Sequence, residues 1–573
     1  MPMKTIRSLL IATVLLAAYL AVIVICVVPY AWIAVVAAVI WMACKKRRHY
    51  TAHGTARWAD ATDIPHLLEG NGLIVGHIAG KPSKIAGVKA LFDSSISARE
   101  ACQTFLTAWQ RKQEKHLVRL TNAVHTACFA PTGVGKGISC VIPFAKTCPD
   151  SMTFVDFKGE NAKITADDRR RMGHKVVLLD PYRVVTHEPD TFNPLEFIDR
   201  DSPTALDDCR DLAEALVVRT GQEKEPHWCD SAEVWIGAMT AMVVCFAEGA
   251  DKSLQSVRAL LTNPEKMQAA IKIMCESDLW DGMLSRLGHQ LLQFKDKELS
   301  STLTTTNRFM RFLDTIAVTE NTKKSSFNPA DLLTGKMTVY LVLPPEHLRA
   351  QSPLLRLWIG SMLRAVVKGG LQETTKVHFV LDEAASLGHM DVLDDAVDKF
   401  RGYGVRLQLY YQSLGQLQTC WPDGRDQTLL SNCTQVFFGV NDQQTAEYVS
   451  ARLGEQTIIV ASGGTGSSTS RQGSPQGGNS HSYSTSTNDN WQQLGRKLLK
   501  PEEVIATDPR VAITFAPCVP PIATWLVRYY EKDFGLPRGM GLLKAAFDAA
   551  CLFLAALMFA VWFTAALVYH TFQ

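Results

Sequence analysis

Two stretches of this chain lack charge entirely, one near each end. The first runs from Leu9 to Cys44 and the second from Ala549 to Tyr569. Each is at least as long as the roughly 20 apolar residues that a helix needs to cross a bilayer. Over the whole sequence 47% of the residues are hydrophobic and 20% are charged, which is close to the averages of globular proteins. The pattern predicts transmembrane helices at both ends of a largely globular protein.

The first uncharged stretch is too long for one span and long enough for two short ones, with Pro29 near its middle. Lys4 and Arg7 precede it, and the basic residues 45–48 follow it. Positively charged flanks stay in the cytoplasm, so both flanks lie on that side only if residues 1–48 form a hairpin. A cleaved signal peptide is the alternative, and it is disfavoured because a second span and a basic stop follow the first span.

Paired cysteines and several nucleotide motifs are also missing. None of the 14 cysteines belongs to a C-x-x-C pair or to a Cys/His spacing of a zinc site, which favours buried, reduced thiols over a disulfide scaffold or a zinc ribbon. No N-K-x-D motif occurs, which argues against a GTPase, and no H-R-D set occurs, which argues against a protein kinase. The net charge of +3 does not by itself indicate a nucleic-acid surface.

Between its ends the chain alternates short apolar runs with amphipathic stretches, a pattern typical of an α/β domain. Several runs are apolar throughout, as parallel strands buried on both faces are. The predicted strands are Ala127–Phe129, Met152–Val155, Lys175–Leu179, Val339–Leu343, Val377–Leu381, Leu407–Tyr411 and Val436–Phe438.

Two segments depart from this alternation. In 203–312 strand signals vanish and helical periodicity dominates, which predicts an inserted all-helical domain. Residues 461–490 are rich in Ser, Gly, Thr and Asn and cannot bury a core, which predicts a mobile loop. The predicted domains are a membrane hairpin at 1–48, an α/β domain in two parts at 49–202 and 313–535, the helical domain at 203–312, and a C-terminal transmembrane segment at 536–573.

A phosphate-binding loop is predicted directly after Phe129. The glycines of a G-x-x-x-x-G-K-[ST] loop let backbone N–H groups point at phosphate oxygens, and the helix that follows adds its positive end. Here Ala130 replaces the first glycine, and Gly137 replaces the residue whose hydroxyl contacts Mg²⁺. Taken alone, the motif could also be a chance turn before a helix. The loop residues are Ala130, Pro131, Thr132, Gly133, Val134, Gly135, Lys136 and Gly137.

A second motif places two acids after an apolar strand. Asp382 and Glu383 follow Val377–Leu381, at the strand end where ligands of α/β sheets bind. Asp382 is predicted to hold Mg²⁺ through its water shell, and Glu383 to orient the attacking water. The alternative is a helix start whose acids are stabilised by the helix dipole. The Lys136 loop on the same chain favours the nucleotide interpretation, with ATP and Mg²⁺ as the cofactors.

Two further residues are candidates for this site. Gln412 ends the predicted strand Leu407–Tyr411, where a polar side chain could sense the γ-phosphate. Arg401 lies shortly before that strand and is predicted to act as an arginine finger in the site of a neighbouring subunit. For both residues the alternative is an ordinary surface side chain.

A series of collinear stretches resembles the TraG/TraD class of type IV coupling proteins, from about His53 to Tyr530. They are HGTARWAD (53–60), APTGVGKG (130–137), VDFKGEN (155–161), GHKVVLLDPY (173–182), FNPLEF (192–197), HWCDSAE (227–233), MTVYLVLPPEHL (337–348), SPLLRLWIG (352–360), FVLDEAASLG (379–388), GYGVRLQLYYQS (402–413) and LLKPEEV (498–504).

The resemblance implies a hexameric ring with a RecA-like P-loop NTPase motor domain, an all-helical domain on its cytoplasmic face and a membrane stem. It carries the roles above to Lys136, Asp382, Glu383, Gln412 and Arg401. The D-x-K-G-E stretch is also matched, without a defined chemistry, by Asp156, Lys158 and Glu160. Two features depart from the family. A C-terminal span is unusual for it, and the Ser/Gly-rich segment matches a variable region in position only.

The function implied is that of an inner-membrane ATPase that recruits a DNA–relaxase complex to a conjugative or type IV secretion channel and drives its transfer. The implied partners are the relaxosome with plasmid DNA, the channel components and the membrane. Delivery of effector proteins alone stays open as an alternative. The presence of Lys136 and Glu383 argues against a non-hydrolysing scaffold, and the helical insert with HGTARWAD argues against a chromosome-pumping translocase.

The C-terminal span yields a topology prediction. Arg538 and Lys544 precede the second uncharged stretch, so the tail from His570 to Gln573 is expected outside the cytoplasm. A reporter that is active only outside the cytoplasm, fused after Gln573, should therefore be active. A silent fusion, with a cytoplasmic reporter active at the same position, would make this stretch an interfacial helix.

Overall fold

The computed structural model describes residues 52–78, 116–121, 123–219, 225–474 and 478–531. The predicted spans at 9–44 and 549–569 lie outside these residues. Among the described helices, one is long and apolar enough to cross a membrane, His227–Phe246, with a mean hydropathy of 1.4. However, 72% of its apolar window is buried inside the protein, as in the core helix of a globular domain.

The described part of the chain is organised around a mixed sheet of 11 strands. In order along the sheet the strands are β2-β1-β13-β12-β9-β3-β8-β7-β4-β6-β5. Their bounds are β1 Leu73–Ile78, β2 Leu117–Leu120, β3 His125–Phe129, β4 Ser151–Asp156, β5 Lys175–Leu179, β6 Met337–Val342, β7 Val377–Leu381, β8 Val405–Tyr411, β9 Cys433–Phe438, β12 Val511–Phe515 and β13 Ile522–Trp525, and the intervening pair is β10 Glu455–Ser474 with β11 Gly478–Lys497.

Fifteen α-helices are described, and they connect or cover these strands. Their bounds are α1 Ile142–Thr147, α2 Glu160–Arg171, α3 Ala205–Leu216, α4 His227–Phe246, α5 Leu254–Thr262, α6 Pro264–Cys275, α7 Met283–Leu291, α8 Asp296–Met310, α9 Ile316–Thr322, α10 Pro345–Lys368, α11 Asp391–Asp398, α12 Leu414–Cys420, α13 Arg425–Asn432, α14 Gln443–Leu453 and α15 Pro501–Ile505.

The strands from β9 to β5 form the parallel part of the sheet. The predicted strand segments fall on these strands, except that Val339–Leu343 ends one residue beyond β6. The strands are apolar because both faces of the sheet are covered. Helices α1 and α2 pack on one face, where Phe144 and Ala166 belong to one buried cluster with Phe154. Helix α10 packs on the other face, where Trp358 joins a second cluster with Phe379. The predicted mixed α/β fold is thus confirmed.

The helices α3 to α9 follow one another between β5 and β6, and no described residue between those two strands belongs to a strand. Helix α4 is the centre of this group, because it contacts α3, α5, α7 and α8 and buries Trp235 and Met239. Since β5 is the edge strand of the sheet and β6 is its neighbour, the whole helical group leaves and rejoins the sheet at its edge.

The prediction of a loop in the Ser/Gly-rich segment at 461–490 is wrong. Strands β10 and β11 pair there as a two-stranded antiparallel ribbon, from Glu455↔Lys497 to Ser474↔Gly478. Polar composition rules out a buried core, but a ribbon needs none, because its hydrogen bonds join main-chain groups of the two strands.

The base of the ribbon is held by the segment that begins at His53. The N–H of Ala56 donates to the carbonyl of Glu455 at 3.0 Å, and the N–H of Thr457 donates to the carbonyl of Gly54 at 3.2 Å. Gly54 has a φ of 143°, and a Cβ there would lie 2.2 Å from the Glu455 oxygen. The position therefore requires glycine, and the start of HGTARWAD holds the ribbon through a bridge between Thr55 and Gln456.

A buried arginine ties α2 to the strands beneath it. Arg169 is fully buried, and its guanidinium donates to the carbonyls of Ala145 and Asp150 and to Thr338 Oγ1, the last at 2.9 Å. It also donates to the carbonyl of Cys148. One side chain thus satisfies several main-chain acceptors at the turn between α1 and β4.

Arg169→Ala should lower the stability of the chain by about 3 kcal/mol or more, since it leaves several buried carbonyls without a donor. The matched control is Arg170→Ala on the same helix turn, which removes only an exposed ion pair with Asp167, worth about 0–1 kcal/mol. Thermal unfolding of the two purified variants checks the difference. Equal melting temperatures would show that Arg169 does not hold this turn.

Candidate nucleotide site

The candidate residues meet because three neighbouring strands end at the same edge of the sheet. Strand β8 pairs in parallel with β3 on one side and with β7 on the other. The Lys136 loop follows the carboxyl end of β3, Gln412 follows that of β8, and the pair Asp382–Glu383 follows that of β7. In parallel α/β sheets this edge is where ligands bind, so the topology assembles one site from three distant segments.

The loop after β3 leads through a π-helical turn, Gly137–Val141, into α1. Its conformation depends on Gly133 and Gly135, whose φ values are 88° and 104°. A Cβ built at Gly133 or Gly137 would meet no atom within 4 Å, so the loop leaves open space of the kind that phosphate oxygens need. The Nζ of Lys136 lies over the loop and donates to the carbonyl of Ala130 at 2.7 Å.

The loop is supported from the neighbouring strand β9. Gly439, directly after that strand, has a φ of 61°, and a Cβ there would lie 2.8 Å from the Cγ1 of Val134. A larger residue at position 439 would therefore push on the loop. The N–H of Ala130 donates to the carbonyl of Tyr411 at 3.0 Å, which ties the start of the loop to β8.

Two acids crowd the adjacent strand ends. Burial and the neighbouring carboxyl of Asp156 raise the pKa of Asp382 to about 6, against the opposing effects of Lys136 and of the Asn161 amide. Burial likewise raises the pKa of Asp156, although several N–H groups hydrogen-bond its carboxyl. A divalent cation relieves this kind of crowding, because it favours the ionised form of both acids. The donor set therefore fits Mg²⁺, which prefers carboxylate and water oxygens.

The D-x-K-G-E stretch now has a structural account. Asp156 ends β4, and its Oδ2 accepts from the N–H of Ala162 at 2.8 Å, with further bonds from the N–H groups of 158–160. It thus holds the turn that starts α2. That turn places the buried Asn161 where its side-chain amide lowers the pKa of Asp382. Lys158 and Glu160 are exposed.

Glu383 is held by two glutamines. The Nε2 of Gln412 lies 3.2 and 3.4 Å from the two carboxylate oxygens, and the Nε2 of Gln416 lies 2.8 Å from Oε1. The sequence analysis included Gln412 but missed Gln416 and Asn161. The sequence did contain a signal for Gln416. It stands four residues after Gln412, a spacing that brings two side chains together when the chain passes into a helix.

Arg401 does not join this group. It is exposed in a 3-10 turn, Phe400–Tyr403, at the amino end of β8. Burial, together with the charges of Arg406 and Arg401, lowers the pKa of His125, the first residue of β3, to about 4. Arg401 therefore lies near the amino ends of the strands, and β8 separates it from Gln412 by about 20 Å at roughly 3.3 Å per residue.

A glycine-rich loop with a lysine at the end of one parallel strand, and paired acids after a second, define the class of P-loop nucleotide-binding proteins. Within that class the chain belongs to the family described as type IV secretory system conjugative DNA transfer, whose pattern matches residues 57–547.

Named relatives agree with this assignment. The chain is 29% identical over 420 residues to the conjugal transfer protein TraG of Rhizobium radiobacter, covering 71% of this chain and 62% of that one. It is 28% identical over 392 residues to the type IV secretion system-coupling protein VirD4 of Bartonella quintana (strain Toulouse), covering 67% of this chain and 59% of that one. The matched region thus spans about three fifths of the length of these relatives.

A solved structure shares the fold. The plasmid coupling protein TrwB in complex with ADP and Mg²⁺ superposes with a TM-score of 0.51 at 16% identity, covering 70% of this chain and 84% of that one. The two proteins therefore share a fold.

Proposed function

We propose that this protein is the ATP-hydrolysing coupling protein of a conjugative or type IV secretion system, which recruits a DNA–relaxase substrate and drives its transfer. The observation that carries the proposal is the convergence of Lys136, Asp382, Glu383 and Gln412 at one sheet edge in a chain of the conjugative DNA transfer family. The complex of TrwB with ADP and Mg²⁺ supports an adenine nucleotide and Mg²⁺ as the ligands.

Each residue has a role that follows from its position. The N–H groups of 132–137 would surround the phosphates, and Lys136 would neutralise the β and γ groups. Gly137 has no hydroxyl for Mg²⁺, so Asp382 would be the residue that holds the ion. Glu383 orients the attacking water, and the amide of Gln412 detects the γ-phosphate.

The proposal also includes the surroundings of the motor. The predicted hairpin at 1–48 and the segment at 536–573 would anchor it in the inner membrane, with the α/β and helical parts in the cytoplasm. Six copies would form a ring that contacts the secretion channel. The helical group α3–α9 is attached beside the outermost strand β5, away from β3 and the Lys136 loop. This position suits a surface that binds substrate rather than nucleotide.

Lys136→Ala tests the motor. It removes the phosphate-neutralising charge while the predicted membrane anchors are distant, so ATP hydrolysis and substrate transfer should be lost and the protein should stay in the membrane fraction. The control is Lys175→Ala, the same change at an exposed position at the amino end of β5, which should leave both activities intact. Transfer by Lys136→Ala at wild-type frequency would refute the proposal that ATP hydrolysis drives transfer. A separate measurement, whether DNA stimulates the wild-type ATPase, distinguishes a DNA substrate from a protein substrate.

Arg401 is proposed to act on nucleotide bound to the neighbouring subunit, since the structure places it far from its own Lys136. Arg401→Ala and Lys136→Ala should each be inactive as pure proteins. In an equal mixture, about a quarter of the interfaces of a ring join an intact Lys136 to an intact Arg401, so part of the ATPase rate should return. Full activity of Arg401→Ala alone would rule out the finger. Inactivity without recovery on mixing would point to a role within one subunit or in assembly.

A further inference from the structure

Gln416 has the sequence setting of an ordinary helix cap. It stands three residues after Ser413, and S-x-x-Q at the start of a helix is a capping box, in which each side chain bonds the backbone N–H of the other residue. Ser413 does so, since its Oγ accepts from the N–H of Gln416 at 3.3 Å. The side chain of Gln416 does not return the bond. Its Oε1 accepts from the N–H of Gln412 at 2.7 Å, and its Nε2 donates to Glu383 at 2.8 Å.

These two bonds fix which end of the amide faces Glu383. The two ends of a glutamine amide have nearly the same shape but opposite hydrogen-bonding character. Because the main-chain N–H of Gln412 is a donor, it needs the oxygen, and the NH₂ group is left for the carboxylate. The helix itself is anchored, since Leu414 and Leu417 are buried and the N–H of Leu414 donates to Thr445 Oγ1 at 3.1 Å.

The two glutamines that contact Glu383 differ in how they are held. Gln412 is exposed, and its side chain is the proposed sensor of the γ-phosphate, so it must leave Glu383 when it turns to the nucleotide. Gln416 bonds only the main-chain N–H of Gln412, so its hydrogen bond to Glu383 does not depend on where the Gln412 side chain points. It binds Oε1 and leaves Oε2 of Glu383 free to accept a hydrogen bond from water.

We propose that Gln416 is a positioning residue, which keeps the carboxylate of Glu383 oriented for the attacking water while Gln412 is engaged by the nucleotide. This role rests on the proposed ATPase function. Loss of Gln416 should therefore lower the rate of hydrolysis and not the affinity for ATP. Gln416 contacts Glu383, which acts on water, and not the phosphates.

The experiment compares Gln416→Ala with Gln418→Ala, a control on the same helix whose exposed side chain contacts Asp426 and Gln444 instead. In Gln416→Ala, kcat should fall roughly tenfold or more, as expected for loss of a hydrogen bond to a charged group, with KM for ATP little changed. Gln418→Ala should keep the wild-type kcat. Both variants should melt near the wild-type temperature.

A double-mutant cycle separates positioning from capping. Glu383→Gln should bind ATP but hydrolyse it very slowly, and adding Gln416→Ala should slow it no further under single-turnover conditions, because Gln416 acts through Glu383. An unchanged kcat in Gln416→Ala, or an equal loss in both backgrounds with a lowered melting temperature, would overturn the positioning role. Absence of hydrolysis by the wild-type protein would instead contradict the proposed function, and the positioning role would fall with it.

Discussion

Strand β8 is hydrogen-bonded in parallel on both of its sides, and the same residue, Gln408, is the partner of Thr126 in β3 and of Val380 in β7. A slip of one residue in either pairing would turn every side chain of β8 to the opposite face and displace its end by about 3.3 Å. Such a shift is comparable to the length of the contacts among Glu383, Gln412 and Gln416, which are 2.7 to 3.4 Å long. The register of the three strands therefore sets the distances between the residues of the candidate site.

Charge balance is the second condition at this edge. Asp156 and Asp382 are brought together by adjacent strands β4 and β7, and both have pKa values raised mainly by burial. Lys136 offsets them only in part. Asp156 is already committed to the N–H groups that begin α2, so Asp382 is the acid with capacity left for a cation. The missing hydroxyl at Gly137 is thus compatible with a metal held from the acid side of the cleft.

Much of the fold could be predicted from the sequence because the parallel strands are apolar throughout, and burial on both faces leaves a plain signal. The antiparallel strands β1, β2, β12 and β13 were not predicted, since they are short and join the sheet through pairings with distant segments, β13 with β1 and β12 with β9. The ribbon β10–β11 was missed because composition reports on a core and not on main-chain pairing. At the site, motif residues were found, whereas Gln416 and Asn161 were not, because their roles arise from neighbours far away in the chain. The membrane spans stay predictions.

The order in which the site is made has a consequence in time. The ring of His125 in β3 accepts a hydrogen bond from the N–H of Leu407, 282 residues further along the chain. At about 5–20 residues per second, a ribosome needs roughly 15–60 s to make that interval. The ribosome therefore makes α2, β4, β5 and the whole helical group after β3 and before β8, the strand that pairs with β3. The loop at 130–137 is therefore translated long before the strand that must lie beside it, and the candidate site cannot assemble until most of the chain has been made.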